Sequence, residues 1–150
     1  MNCEKAESNM VKKPKNRNIL VAPNRNHAKS KKIKMSMPQA FIIRTQPKRL
    51  EFSGTNPAYL SPEAAEYLRL NDVKHLLIDL PSVDKEEDGG LLSSHKAFWG
   101  VPDKLRRDAS ITELLKIPEN INDGWYLLDL QIMNLRNNAS PSRPIIYELL

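Results

Sequence analysis

Short apolar runs, punctuated by prolines and glycines, alternate along this chain with two helix-spaced patterns. Ala40-Phe41-Ile42-Ile43-Arg44-Thr45 is a continuous apolar run ending in polar residues, which predicts a buried strand closed by Gln46-Pro47. Ser61 stands where a helix cap belongs, with Pro62 at the first helical position and Glu63 at the positive end of the dipole. Ala64, Tyr67 and Leu68 supply that helix with an apolar face, and Asn71 is placed as a left-handed stop. Residues 73–80 predict a second strand, so strand, helix and strand imply a right-handed crossover between two parallel strands. Residues 111–117, 125–132 and 143–149 predict further strands, separated by Pro118, Asp123-Gly124 and Ser140-Pro141. Helices are few, and the pattern reads as an α/β protein with a mixed sheet.

Charge divides the chain into two parts. Its 150 residues carry a net charge of +5. Residues 1–39 hold ten Lys or Arg against Glu4 and Glu7, while the remainder holds thirteen against sixteen carboxylates. The folded part is therefore slightly acidic, and the basic character lies in the first quarter. Residues 1–38 read as a basic, poorly ordered N-terminal arm in which only Ile19-Leu20-Val21-Ala22 could form a short strand, and residues 39–150 read as the body. The arm could neutralise phosphates, but it holds no aromatic residue to stack a base, so a solvated lead-in is expected rather than a nucleic-acid partner. Cys3 is the only cysteine, which forbids an intramolecular disulfide. No apolar run reaches the ~18 residues of a membrane span, and Met-Asn-Cys-Glu-Lys opens no export signal. A cytoplasmic location without membrane contact is expected.

Candidate chemistry collects in the middle of the body. Leu91, Leu92, His95, Phe98 and Trp99 recur at three- and four-residue spacing, which puts His95 on an apolar helix face. Such a histidine is either a hydrogen-bonded core residue or a metal ligand. Glu113 lies between apolar neighbours on an expected strand; turned inward it needs a cation or donor partner, and turned outward it meets solvent. A histidine with a glutamate makes half of a divalent-metal shell. Asp79 reads as an acceptor for backbone donors in the Pro81 turn, and Asp84 as an acceptor within its own loop. Glu86, Glu87 and Asp88 read as a solvated face. His75 and His27 have no partner at ligand spacing, and Ser82 lacks a nucleophile elbow. There is neither a Gly-rich phosphate loop nor a cysteine pair for zinc.

Several words in order carry a family likeness: Ile42-Ile43-Arg44-Thr45, Ser53-Gly54-Thr55-Asn56-Pro57, Pro62-Glu63-Ala64-Ala65-Glu66-Tyr67-Leu68, Leu77-Ile78-Asp79-Leu80-Pro81-Ser82-Val83-Asp84, Ser94-His95-Lys96 and Ala139-Ser140-Pro141-Ser142-Arg143-Pro144. At these residues the chain resembles the cyclase family of metal-dependent hydrolases, which includes bacterial kynurenine formamidase. The likeness covers about residues 39–149. It implies an incomplete swivelling β/β/α fold and hydrolysis of a linear amide or formamide with zinc or manganese. It also implies that His95 and Glu113 are metal ligands. The family's His-x-Gly-Thr-His-x-Asp-x-Pro motif is absent from this sequence. The expectation is thus the C-terminal part of such an enzyme, truncated or split, working on a small-molecule amide as a homo-oligomer or with a complementing N-terminal half. The rival expectation is a non-catalytic remnant or oligomerisation module of the same fold.

Overall fold

Alternation along the strands builds a sheet with two apolar faces. In this computed structural model the residues described are 37–45, 54 and 56–149, with the backbone of 19–22. The strands are β1 (Ile19–Ala22), β2 (Ala40–Ile43), β3 (His75–Ile78), β4 (Ser110–Thr112), β5 (Trp125–Ile132) and β6 (Ser142–Glu148). Two helices, α1 (Pro62–Leu70) and α2 (Ser93–Trp99), lie between β2 and β4 in sequence. The sheet order is β4-β3-β2-β1-β5-β6. The pairs from β1 to β4 are parallel, and β5 runs antiparallel to both β1 and β6. The mixed α/β sheet with few helices is the architecture read from the sequence. Ile19–Ala22 is a central strand, between β2 and β5. The rest of the basic arm, apart from Met37 and Pro38, lies outside the described residues.

Register decides which face each side chain meets. Phe41 sits opposite Leu76 and Ile43 opposite Ile78, and these four join Ala65, Leu68, Val73 and Phe98 in one cluster. Ala40, Ile42 and Leu77 point the other way and pack with Tyr126, Leu128, Leu130 and Ile146. Leu115, Ile117 and Ile121 pack against this second cluster. Each buried leucine or isoleucine contributes roughly 1.5–3 kcal/mol of transfer free energy, so both faces hold the sheet.

The local signals were kept with adjustments. Ser61 caps α1 by accepting from the Ala64 amide at 3.3 Å. The buried face is Ala65 and Leu68, not Ala64 and Tyr67, and Tyr67 is 59% exposed. The left-handed residue after α1 is Asp72, at φ 60, while Asn71 stays at φ -96 with its side-chain amide on the Tyr67 carbonyl. Leu91 and Leu92 lie before α2 and are exposed, so the buried side of that helix is Ser94 and Phe98. Gly100 ends α2 at φ 74, where an added Cβ would stand 2.7 Å from the Lys104 carbonyl. The strand expected over 111–117 ends at Thr112, because Leu114 adopts φ 55 and turns the chain across the sheet. None of the helices among the described residues is long and apolar enough to cross a membrane.

Phe98 is fully buried and Tyr67 is not. Urea unfolding should therefore show Phe98→Ala destabilised by about 3–5 kcal/mol, and Tyr67→Ala changed by no more than about 0.5 kcal/mol.

Candidate functional site

Four parallel strands end on one side of the sheet, and just past β3 and β4 the chain places carboxylates. Open α/β sheets commonly put ligand sites there. Asp79 directly follows β3 and accepts from both the backbone amide (2.9 Å) and the hydroxyl (2.8 Å) of Thr45. It ties the end of β2 to the end of β3 rather than serving the Pro81 turn alone. Asp84 lies farther along the same connection, and Glu113 is the first residue after β4.

His95 stands between Asp84 and Glu113. Its Nδ1 lies 2.5 Å from Asp84 Oδ2, and its Nε2 lies 3.4 Å from Glu113 Oε1. Asp84 Oδ1 accepts from the Ser94 amide at 2.5 Å, and Oδ2 lies 3.4 Å from the His95 amide. The Asp84 carboxylate is thus joined to the first turn of α2, ten residues away, instead of being occupied only in its own loop. The Asp84 amide itself donates to Ser82 Oγ at 3.0 Å. Burial pushes the Asp84 carboxyl up, but the His95 ring and the Ser94 and His95 amides outweigh it and hold the group below the usual carboxylate range. The Trp99 ring covers His95, with centroids 5.2 Å apart and planes tilted by 52°.

Glu113 is turned inward at its carboxylate. Oε1 accepts from the Val83 amide at 2.8 Å, which fixes it beside the ring. Two further bonds tighten the connection around the site: Leu60 donates its amide to the Val83 carbonyl, and Ser94 Oγ donates to the Leu60 carbonyl. Glu86 accepts from the amides of Gly54 and Asn56 at 2.7 Å each, so this member of the acidic run pins a loop rather than facing solvent alone. Glu113 also lines an open cleft of about 480 Å³ between residues 111–116 and 139–144.

The structure thus brings His95 and Glu113 together and adds Asp84, whose role the sequence reading missed. The available signal was the Ser82-Val83-Asp84 turn followed closely by His95, but the bond itself is tertiary. An imidazole nitrogen and a carboxylate oxygen suit zinc or manganese. Their 3.4 Å separation matches the roughly 3.3–3.5 Å between neighbouring donors on a tetrahedral ion with bonds of about 2.0–2.2 Å. The pair can therefore hold one side of a divalent cation. Among the described residues no group of three or more His, Cys, Asp or Glu is arranged to hold a metal ion.

His75 lies at the opposite end of β3, with Nδ1 2.9 Å from Ser110 Oγ. It takes no part in this site. His27 and Cys3 lie outside the described residues.

The site thus sits on a mixed α/β sheet, with a histidine held between two carboxylates at the ends of its parallel strands. No protein-family model matches the chain, and no curated protein matches it. Among solved structures it is similar to one described as a potential metal-dependent hydrolase with cyclase activity, at a TM-score of 0.57 and 18% identity. The match covers 77% of this chain and 52% of that one, so the chain spans about half the length of the structure it matches. The likeness is one of fold.

Burial, then the neighbouring Lys74, lowers the His75 pKa from its ordinary value of 6.5. The unfolded chain takes up that proton first as pH falls, so His75 costs stability from about pH 6.5 downward until its folded-state value is passed. Urea midpoints measured across this window should fall more steeply with acid in the wild type than in His75→Gln.

Proposed function

We propose that the chain is the metal-ligating part of a cytoplasmic, cyclase-like hydrolase acting on a linear amide or formamide, with His95 and Glu113 as two of its metal ligands. The observation that carries this reading is the 3.4 Å approach of His95 Nε2 to Glu113 Oε1, with Asp84 bonded to the far side of the ring. A neutral Nε2 facing a carboxylate is an unfavourable pair of acceptors unless a proton or a cation stands between them. The solved structure of similar fold, described as a potential metal-dependent hydrolase, supports the choice of a cation. Zinc is the metal proposed, and manganese suits the same donors.

Each side chain has a part in this reading. His95 and Glu113 hold the ion, and the Val83 amide keeps Glu113 from swinging away. Trp99 shields one side of the imidazole. Glu113 belongs both to the donor pair and to the wall of the cleft, so an amide resting there lies next to the donors. The bound metal would supply Lewis-acid polarisation of the amide carbonyl and an acidified water. The remaining ligands and the general base are proposed to come from a complementing segment of the kind the family carries in its histidine motif, acting with this chain in a split or oligomeric enzyme. The fold proposed for the assembly is the swivelling β/β/α type.

The limited donor count among the described residues favours one second reading, a non-catalytic module of the same fold. Calorimetric titration of the full chain with Zn²⁺ and Mn²⁺, together with hydrolysis of N-formylkynurenine, separates the two. One ion per chain should be taken up, with affinity lowered at least about tenfold in His95→Ala and in Glu113→Gln. Turnover that survives His95→Ala sinks the site assignment, and absence of uptake by the wild type leaves the non-catalytic module standing.

A further inference from the structure

We propose that Asp84 is a positioning residue: its carboxylate fixes the His95 imidazole as the Nδ1–H tautomer and so keeps the Nε2 lone pair facing Glu113. The use of that lone pair rests on the metal-ligand reading above, but the tautomer does not. An ionised carboxylate only accepts hydrogen bonds, so a neutral ring bonded to one must carry its proton on the bonded nitrogen.

Two carboxylates compete for that proton. Asp84 Oδ2 is 2.5 Å from Nδ1, whereas Glu113 Oε1 is 3.4 Å from Nε2 and already accepts from the Val83 amide. The shorter and better-aimed bond is to Asp84, so the proton stays on Nδ1. With Asp84 removed, Glu113 becomes the remaining anionic acceptor and draws the proton to Nε2, the atom a cation needs. The ring has little room to escape this choice, since the imidazole is 15% exposed and the carboxylate 5%. Trp99 confines it further.

The same carboxylate also caps the start of α2. Leu92, at the cap position, makes no side-chain capping bond, and Asp84 takes the Ser94 amide from a distant loop. Helix start and ring orientation are therefore set by one group. Asparagine at this position separates the two roles. Its Oδ1 can still accept from the Ser94 amide, while its NH₂ replaces Oδ2 and donates to Nδ1. The neutral ring must then move its proton to Nε2.

The test is ¹⁵N NMR of the His95 side chain in the full chain, metal-free, at a pH alkaline enough for a neutral imidazole. The wild type should show Nδ1–H and Asp84→Asn should show Nε2–H, with Zn²⁺ affinity about 10–100-fold lower in the variant. A wild-type ring in the Nε2–H form, or one tautomer shared by both proteins, overturns the proposal. The wild-type spectrum alone decides should the variant not fold. A tautomer switch without Zn²⁺ uptake by either protein upholds the role of Asp84 and counts against the metal reading instead.

Discussion

One buried carboxylate organises the carboxyl end of this sheet. Asp84 leaves water to accept from a backbone amide of α2 and from an imidazole nitrogen, and these bonds offset the desolvation that burial imposes. The connection after β3 and the start of α2 are joined there over ten residues of chain. The intervening acidic, glycine-containing loop is held within its course as well, by Glu86 on the Gly54 and Asn56 amides and by Asp88 on the Gly90 and Leu92 amides. Rigid elements on either side of a loop are what allow a site to be held to tenths of an ångström.

The parallel half of the sheet explains why the other polar groups gather at the same end. β2, β3 and β4 run in one direction, so Thr45, Asp79 and Glu113 leave their strands together. β4 is only three residues long, and Leu114 then takes a left-handed conformation, which stops Glu113 from continuing an in-plane strand. The amino end of the same strands carries a different chemistry: His75 bonded to Ser110, and Lys74 paired with Asp108 at 2.9 Å. Two edges of one sheet thus separate an acidic, ring-holding cluster from a cluster of mixed charge.

Much of this was legible along the chain, and the exceptions have physical reasons. Apolar runs located β2, β3, β5 and β6, and the Ser61-Pro62-Glu63 signal placed the start of α1, because these depend on local patterning. His95 and Glu113 could be named as candidate partners from their residue types and from the family likeness, but their approach could not be read along the chain, since it depends on strand order and register. The pairing of Asp84 with His95 was hidden because an aspartate in a Ser-Val-Asp turn is locally satisfiable, and the competition between near and far donors has no sequence signature. Leu91 and Leu92 kept helical spacing but fell before the helix, where Leu92 turns left-handed. The central place of β1 was equally obscure. Four apolar residues within a polar, basic stretch carry little periodic signal, and their neighbours in space are remote in sequence.

That placement of Ile19–Ala22 has a practical side. Among the described residues, the sheet's backbone ladder passes from the parallel half to the β5–β6 hairpin through this four-residue splice, which meets β5 at Trp125 and Tyr126. Trimming the basic leader as far as residue 22, an obvious step when shortening the protein, would sever the ladder in the middle. The hairpin would then lose its ladder to the parallel strands and keep its packing through Tyr126, Leu128, Leu130 and Ile146.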